Sequence, residues 1–224
     1  MIILMNSNIL GLILSYAFLG VVIAFGLFLK SRFGISSESM RKVVHIGVSN
    51  WWFLNLHYFT SIAWALIGPI CFIIVNSLFT LSDWGKHVGL DDRRRNWGLV
   101  YFPVTLLVLV IGMYRGIFTP LATTIAVMVM GWGDGLAAMV GTKWGKKKIK
   151  RLDKTYLGCV TMGIVSFIAA ALPLAASSSL SVGMILLSSF FVGTVAMVVE
   201  ALTPWGLDNI TVPFAVLLVL RLFL

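Results

Sequence analysis

Long apolar runs follow one another through nearly the whole of this chain, and the connections between them are too short to hold a soluble domain. That recurrence restricts the fold more than any motif. A hydrocarbon layer about 30 Å thick calls for roughly 20 apolar residues of helix, and a backbone inside it must satisfy its own hydrogen bonds. Eight runs qualify: Ile9 to Leu29, Val43 to Phe59, Ile62 to Leu81, Trp97 to Tyr114, Phe118 to Val140, Tyr156 to Ala176, Leu180 to Val199 and Leu207 to Leu224. The second is short and carries His45, Asn50 and Asn55; it and the fourth are the weakest of the set. With 59% hydrophobic and 11% charged residues over 224 positions, the composition is not that of a soluble domain. The expected fold is all-α: a polytopic integral membrane bundle of about eight transmembrane helices, within a range of seven to nine, forming one transmembrane domain over residues 1–224.

Basic residues orient such a bundle, because cytoplasmic loops carry an excess of Lys and Arg. With both termini on the non-cytosolic side, 15 of the 17 Lys and Arg fall in or beside segments 30–42, 82–96 and 141–155, leaving Arg115 and Arg221 outside. All eight acids lie in or beside those loops, the turn 200–208, or cytoplasmic span ends, so the chemistry is expected to face the cytosol. The membrane would be the plasma membrane of a prokaryote, or otherwise an endomembrane. The first span has no basic leader and no evident cleavage site, and is expected to be retained. Cys71 and Cys159 are isolated within apolar runs and read as reduced, buried thiols.

Asp134 stands out against this background. A carboxylate in hydrocarbon costs at least a few kcal/mol, so it needs a partner or serves a site. It lies in the sequence Gly131-Trp-Gly-Asp-Gly, about 9 Å from the expected cytosolic end of its span at helical rise. Gly133, Gly135, Gly141 and Gly145 suit either helix packing or close approach of a phosphate or metal, and the acid among them favours the second. Seven cations follow between Lys143 and Lys154, a counter-charge for something anionic, phosphate or lipid headgroup. Lys154-Thr155 beside Gly158 faces back toward Asp134. Glu200 and Asp208 flank Pro204 and Gly206, which fold the chain so that both acids approach one point, an arrangement suited to a divalent cation.

Arg41 and His45 share a helix face at the second span's entrance, where the histidine can shuttle a proton or bind phosphate. Asp83 and His87 repeat that spacing, and Asp91 to Asn96 packs both signs of charge into a segment that can contact nucleotide. His57 lies on the far side and receives no role. Trp51, Trp52, Trp97, Trp144 and Trp205 sit near expected membrane ends, and an interfacial belt accounts for most of them. No Ser-His-Asp order, HExxH, Walker motif or paired CxxC is present.

From about Arg41 to Pro213 the chain resembles the CTP-dependent lipid kinases, which act on dolichol, phytol and diacylglycerol and are related to the phosphatidate cytidylyltransferases. The resemblance rests on Gly133-Asp134-Gly135 through Gly141-Thr-Lys-Trp-Gly145-Lys146, on Lys154-Thr155-Tyr-Leu-Gly158, on Glu200 with Asp208-Asn209 and Pro213, and on Arg41-Lys42-Val-Val-His45. Leu157 stands where the family usually has an acid, and Cys159 where it has a small hydroxyl residue. The His-Gly-Gly and Asp-Arg-x-Asp segment of the cytidylyltransferases is absent. The resemblance implies transfer of the γ-phosphate of CTP to a lipid alcohol. Phosphoryl transfer needs mainly positioning and charge neutralisation.

In that reading Asp134, Glu200 and Asp208 hold Mg2+, with Glu200 alternatively the base on the acceptor hydroxyl. Lys143, Lys146 and Lys154 clamp the phosphates. Thr155, Asn209, Arg41, Gly133, Gly135, Gly141 and Gly145 contribute to the nucleotide site, and His45 is a secondary catalytic candidate. The partners expected are CTP, a lipid alcohol and membrane lipids, with no nucleic acid; the oligomeric state stays open, a homodimer included. Two alternatives stand beside it: a cytidylyltransferase acting on a lipid phosphate, and, from another class, a small cation-coupled transporter or anionic-lipid-binding membrane protein.

Overall fold

The computed structural model describes residues 6–82, 97–150, 152, 154–177 and 180–224. The segment holding Asp83, His87 and Asp91 to Asn96 lies outside the described residues, as do Arg151 and Asp153. The helices are α1 (Ser7–Phe33), α2 (Ser37–Ser49), α3 (Trp51–Tyr58), α4 (Ile62–Leu81), α5 (Gly98–Tyr114), α6 (Pro120–Met128), α7 (Asp134–Trp144), α8 (Tyr156–Ser177), α9 (Val182–Leu202) and α10 (Asp208–Leu220). A π turn, Val129–Gly133, joins α6 to α7.

The α6–α7 rod is the axis of the bundle: 72% of its apolar window is buried, against 11–28% for the other long apolar helices. Its sequence explains this. Small and medium side chains from Ala122 to Met130 are buried all round the helix, as expected of a segment enclosed by neighbours. Thr119 caps its start, accepting from Ala122 N at 3.1 Å, with Pro120 in the first turn, where no amide is missed. Around the rod pack α2, α8 and α10, with α9 laid along both α8 and α10, and α1 and α3 against each other beside α2.

Among the described residues, five helices are long and apolar enough to cross a membrane: Ser7–Phe33, Ile62–Leu81, Pro120–Trp144, Tyr156–Ala176 and Val182–Leu202. Gly98–Tyr114 and Asp208–Leu220 are apolar but shorter. The run from Val43 to Phe59 departs from the expected single span and forms two helices. Ser36 starts α2 early by accepting from Ser39 N at 3.1 Å, and the Asn50 side chain donates to the Ile46 carbonyl at 2.8 Å where α2 ends. This break moves Trp51 and Trp52 inward, so neither belongs to an interfacial belt. Trp51 is 7% exposed and donates to Ser15 Oγ at 2.8 Å; Trp52 is fully buried and donates to Thr124 Oγ1 at 3.0 Å. The fifth expected span also differs, because helix continues to Trp144, taking Gly141 and Lys143 out of the loop that was expected to begin at 141.

Close packing accounts for part of the glycine ladder. A Cβ on Gly131 would lie 2.2 Å from Ser49 Cβ, and one on Gly135 would lie 2.3 Å from Ile46 Cγ1, so both glycines bring α2 against the rod. Gly133 similarly faces Ser166 and Met162 of α8.

Candidate active site

α2, α7, α8, α9 and α10 enclose one end of the bundle around a cavity of about 700 Å3. Small-molecule sites commonly occupy about 300–1,000 Å3. Three acids meet there. Asp134 opens α7 immediately after the π turn, Glu200 closes α9, and Asp208 begins α10. One carboxylate oxygen from each lies within 4.8 Å of the others, and the residues are only 3%, 3% and 7% exposed. Three anions held so close in a dry setting repel one another, so cations must stand among them.

Two lysines do so. Lys42 of α2, itself 8% exposed, pairs with Asp134 Oδ2. Lys154 pairs with Glu200 Oε1 and lies 3.4 Å from Asp208 Oδ2. Burial pushes the Lys154 pKa down, but the Glu200, Asp208 and Asp134 carboxylates outweigh it and hold it above its ordinary value. A small backbone loop delivers this lysine: Lys148 bridges Thr155, Ile149 N donates to Lys154 O at 2.9 Å, and Tyr156 N donates to Lys147 O at 3.2 Å. Asp208 is further fixed by Asn209, whose backbone N–H donates to Oδ1 at 3.0 Å; the start of a helix favours a negative charge at that point.

His45 Nε2 lies 3.6 Å from Asp134 Oδ2 and 3.2 Å from the Met130 carbonyl. A carbonyl only accepts, so Nε2 carries a hydrogen and donates it there. That arrangement positions Asp134 more directly than it offers a base. The Met130 carbonyl belongs to the π turn, a distortion that recurs at functional sites.

The structure brings together Asp134, Glu200, Asp208, Lys154, Thr155, Asn209, Arg41, Gly141 and Gly145 as cavity lining. Gly141 and Gly145 have no room for a side chain: a Cβ on Gly145 would lie 2.3 Å from the Gly141 carbonyl, and one on Gly141 would lie 2.8 Å from Thr155 Oγ1. Gly133 and Gly135 are instead packed against neighbouring side chains, as described above. Lys143 and Lys146 are exposed and do not line the cavity; Lys143 Nζ lies 4.8 Å over the Trp144 ring. Lys42 and Lys148 line it in their place. Leu157 is 42% exposed on the outer side of α8, whereas Cys159, 7% exposed, lines the cavity.

Sequence reasoning passed over Lys42 in favour of its neighbour Arg41. The signal was the Lys42–His45 spacing of three, which puts both on the α2 face that meets Asp134.

The donor set fits a hard divalent cation. Mg2+ takes hard oxygen ligands at about 2.1 Å, and the three acids offer such oxygens within 4.8 Å of one another. Glu200 Oε2 and Asn209 Oδ1 are buried with no hydrogen-bond partner among the described residues, an uncommon condition for polar atoms that a ligand would relieve. Asp134, Glu200 and Asp208 are the residues that would hold such an ion. Hard oxygen donors, flanking lysines and a roomy polar cavity are what phosphoryl transfer from a nucleotide requires.

No family model and no solved structure matches the chain. It is similar to the phytol kinase of Synechocystis sp., 30% identical over 213 residues that cover 89% of this chain and 85% of that protein. It is also similar to a protein of Triticum aestivum described as a probable chloroplastic phytol kinase, 32% identical over 144 residues that cover 60% of this chain and 47% of that protein. Identity maintained across nearly the full length of the first relative, in an all-helical chain with several helices apolar enough to cross a membrane, places this chain in the phytol kinase family.

Proposed function

We propose that this prenol-type lipid kinase transfers the γ-phosphate of CTP to the hydroxyl of phytol or a related prenol, with Mg2+, at the cytosolic face of the membrane. The observation that carries the reading is the convergence of Asp134, Glu200 and Asp208 with Lys42 and Lys154 on one buried cluster. The charge bias of the loops supports the cytosolic face, since 15 of 17 basic residues fall on one side of the expected topology. The chain is read as one transmembrane domain throughout.

A bound divalent ion would neutralise charge on the phosphates and on the leaving diphosphate. Lys154 and Lys148 supply positive charge where the nucleotide enters the cavity. Asp208, fixed by Asn209, and Asp134, fixed by Lys42 and His45, keep their oxygens in place. Glu200 presents the unpartnered Oε2 and accepts the proton of the lipid hydroxyl as its oxygen bonds to the γ-phosphorus; the bond to the β-phosphate oxygen breaks, and CDP leaves. An apolar tail can remain in lipid while its hydroxyl meets this shallow site.

The test is purified protein with CTP, ATP or UTP against phytol, longer polyprenols and diacylglycerol. Label from γ-labelled CTP should enter the lipid phase with phytol, and EDTA should stop it. Label entering from the α position instead would mean a cytidylyltransferase. Gradient-driven flux in vesicles with no nucleotide-dependent product would mean a transporter.

A further inference from the structure

The turn between α9 and α10 does more than fold the chain back. Trp205 has φ 59° and Gly206 has φ 79°, two successive left-handed residues. For a bulky aromatic this backbone is rare, and a glycine would adopt it with less strain. The turn is held by Leu207 N donating to Pro204 O at 3.2 Å and by Asn209 Nδ2 donating to Gly206 O at 3.0 Å. Among the described residues that line the cavity, Trp205 is the sole aromatic, and it is 58% exposed. α2 contributes Glu38 and Arg41, one helical turn apart, to the same lining. The Arg41 guanidinium reaches the turn's corner: a Cβ on Gly98 would lie 3.3 Å from Gly206 Cα and 3.7 Å from Arg41 Nη1.

We propose that Trp205 is the stacking surface for the nucleobase of the phosphate donor, with Glu38 and Arg41 reading the edge of the ring. This rests on the CTP reading above. The carboxylate and lysine cluster takes the phosphates, and the rest of a 700 Å3 cavity is available for the nucleoside. An aromatic plate suits any base, because every base has a π face. Selection then needs an acceptor and a donor at the edge. Cytosine offers an exocyclic amine to Glu38 and two acceptors, N3 and O2, to Arg41. Uracil turns a carbonyl toward the carboxylate and is repelled.

The experiment is steady-state kinetics of the full chain in detergent, varying nucleotide and lipid alcohol separately, for Trp205→Gly, Trp205→Phe and Glu38→Gln. Trp205→Gly relaxes the backbone while removing the ring; it should raise the KM for CTP about tenfold or more and leave the KM for the alcohol unchanged. Trp205→Phe should restore most of the loss. Glu38→Gln, whose amide can donate as well as accept, should narrow the CTP to UTP preference about tenfold. An unchanged nucleotide KM in Trp205→Gly, or a change confined to the lipid KM as an interfacial anchor would give, overturns the proposal. A wild type that uses another nucleoside triphosphate defeats the CTP reading alone, and the KM for that nucleotide then decides the stacking role. A wild type that uses none overturns both.

Discussion

Replacing Asp134 by asparagine removes one charge and keeps the side-chain shape. The Lys42 and Asp134 side chains are 10% and 4% exposed, so Asp134→Asn leaves an ammonium stranded in a dry site. Breaking a buried pair from one side costs about 3–5 kcal/mol, which for a chain of this length corresponds to a fall in Tm of roughly 6–20 °C. The slight exposure of Lys42 gives it a path to water, which puts the fall in the lower half of that range. A second substitution isolates the cause. Lys42→Met in the same chain removes the stranded charge, and replacing both partners of a buried pair by uncharged groups is often near neutral. The double variant should therefore recover most of the Tm while phosphorylation of the alcohol stays lost. Thermal unfolding in detergent followed by tryptophan fluorescence, alongside transfer of labelled phosphate, reads both quantities. An Asp134→Asn protein that melts with the wild type would show that Lys42 is not held by that carboxylate. A double variant no more stable than the single one would show that the cost is not the stranded charge.

Other outcomes follow from the same geometry. Glu200→Gln retains the shape of the side chain but cannot take the hydroxyl proton, so kcat for the alcohol should fall at least about 100-fold, with binding of nucleotide retained in an equilibrium assay. Gly131→Ala should destabilise by about 1–3 kcal/mol through overlap with Ser49, and Ser49→Gly in the same chain should recover stability. The Lys154 pKa is raised in the folded protein, so its stabilising contribution is fully present below the unfolded value of about 10.4 and is lost only as pH rises through the higher folded value. Unfolding measured from pH 7 to 10 should accordingly show no loss that Lys154→Met abolishes.

The three acids were legible because each is conspicuous for a local reason: Asp134 is a charge in an apolar run, and Glu200 and Asp208 flank a Pro and Gly turn. The turn's short span forces those two together whatever the rest of the fold does. Lys42 was harder to see, since which face of α2 meets the rod depends on where the helix begins and where Asn50 ends it. The cations at Lys143 and Lys146 looked equivalent to Lys148 in sequence, and only the backbone loop at Lys148 and Thr155 separates them. Trp51 and Trp52 were misplaced for the same reason as the second span: the break at Asn50 redirects both from a membrane boundary into the core. Glycines within one ladder divide between packing and the cavity according to which helix each happens to face, a distinction that spacing alone does not encode.

The π turn at Val129–Gly133 can be thought of as a phase setting. An α-helix advances about 100° per residue, so a single added residue turns everything beyond it by that amount relative to what precedes it. Thr124 ahead of the turn is oriented by Trp52, while Asp134 behind it is oriented toward Glu200 and Asp208. Both orientations are satisfied at once only because the wider turn lies between them. Deleting one residue from this segment would leave every charged group in the protein present and still rotate Asp134 out of its cluster, so the alignment of the three acids is stored in the length of a stretch that bears no charged side chain.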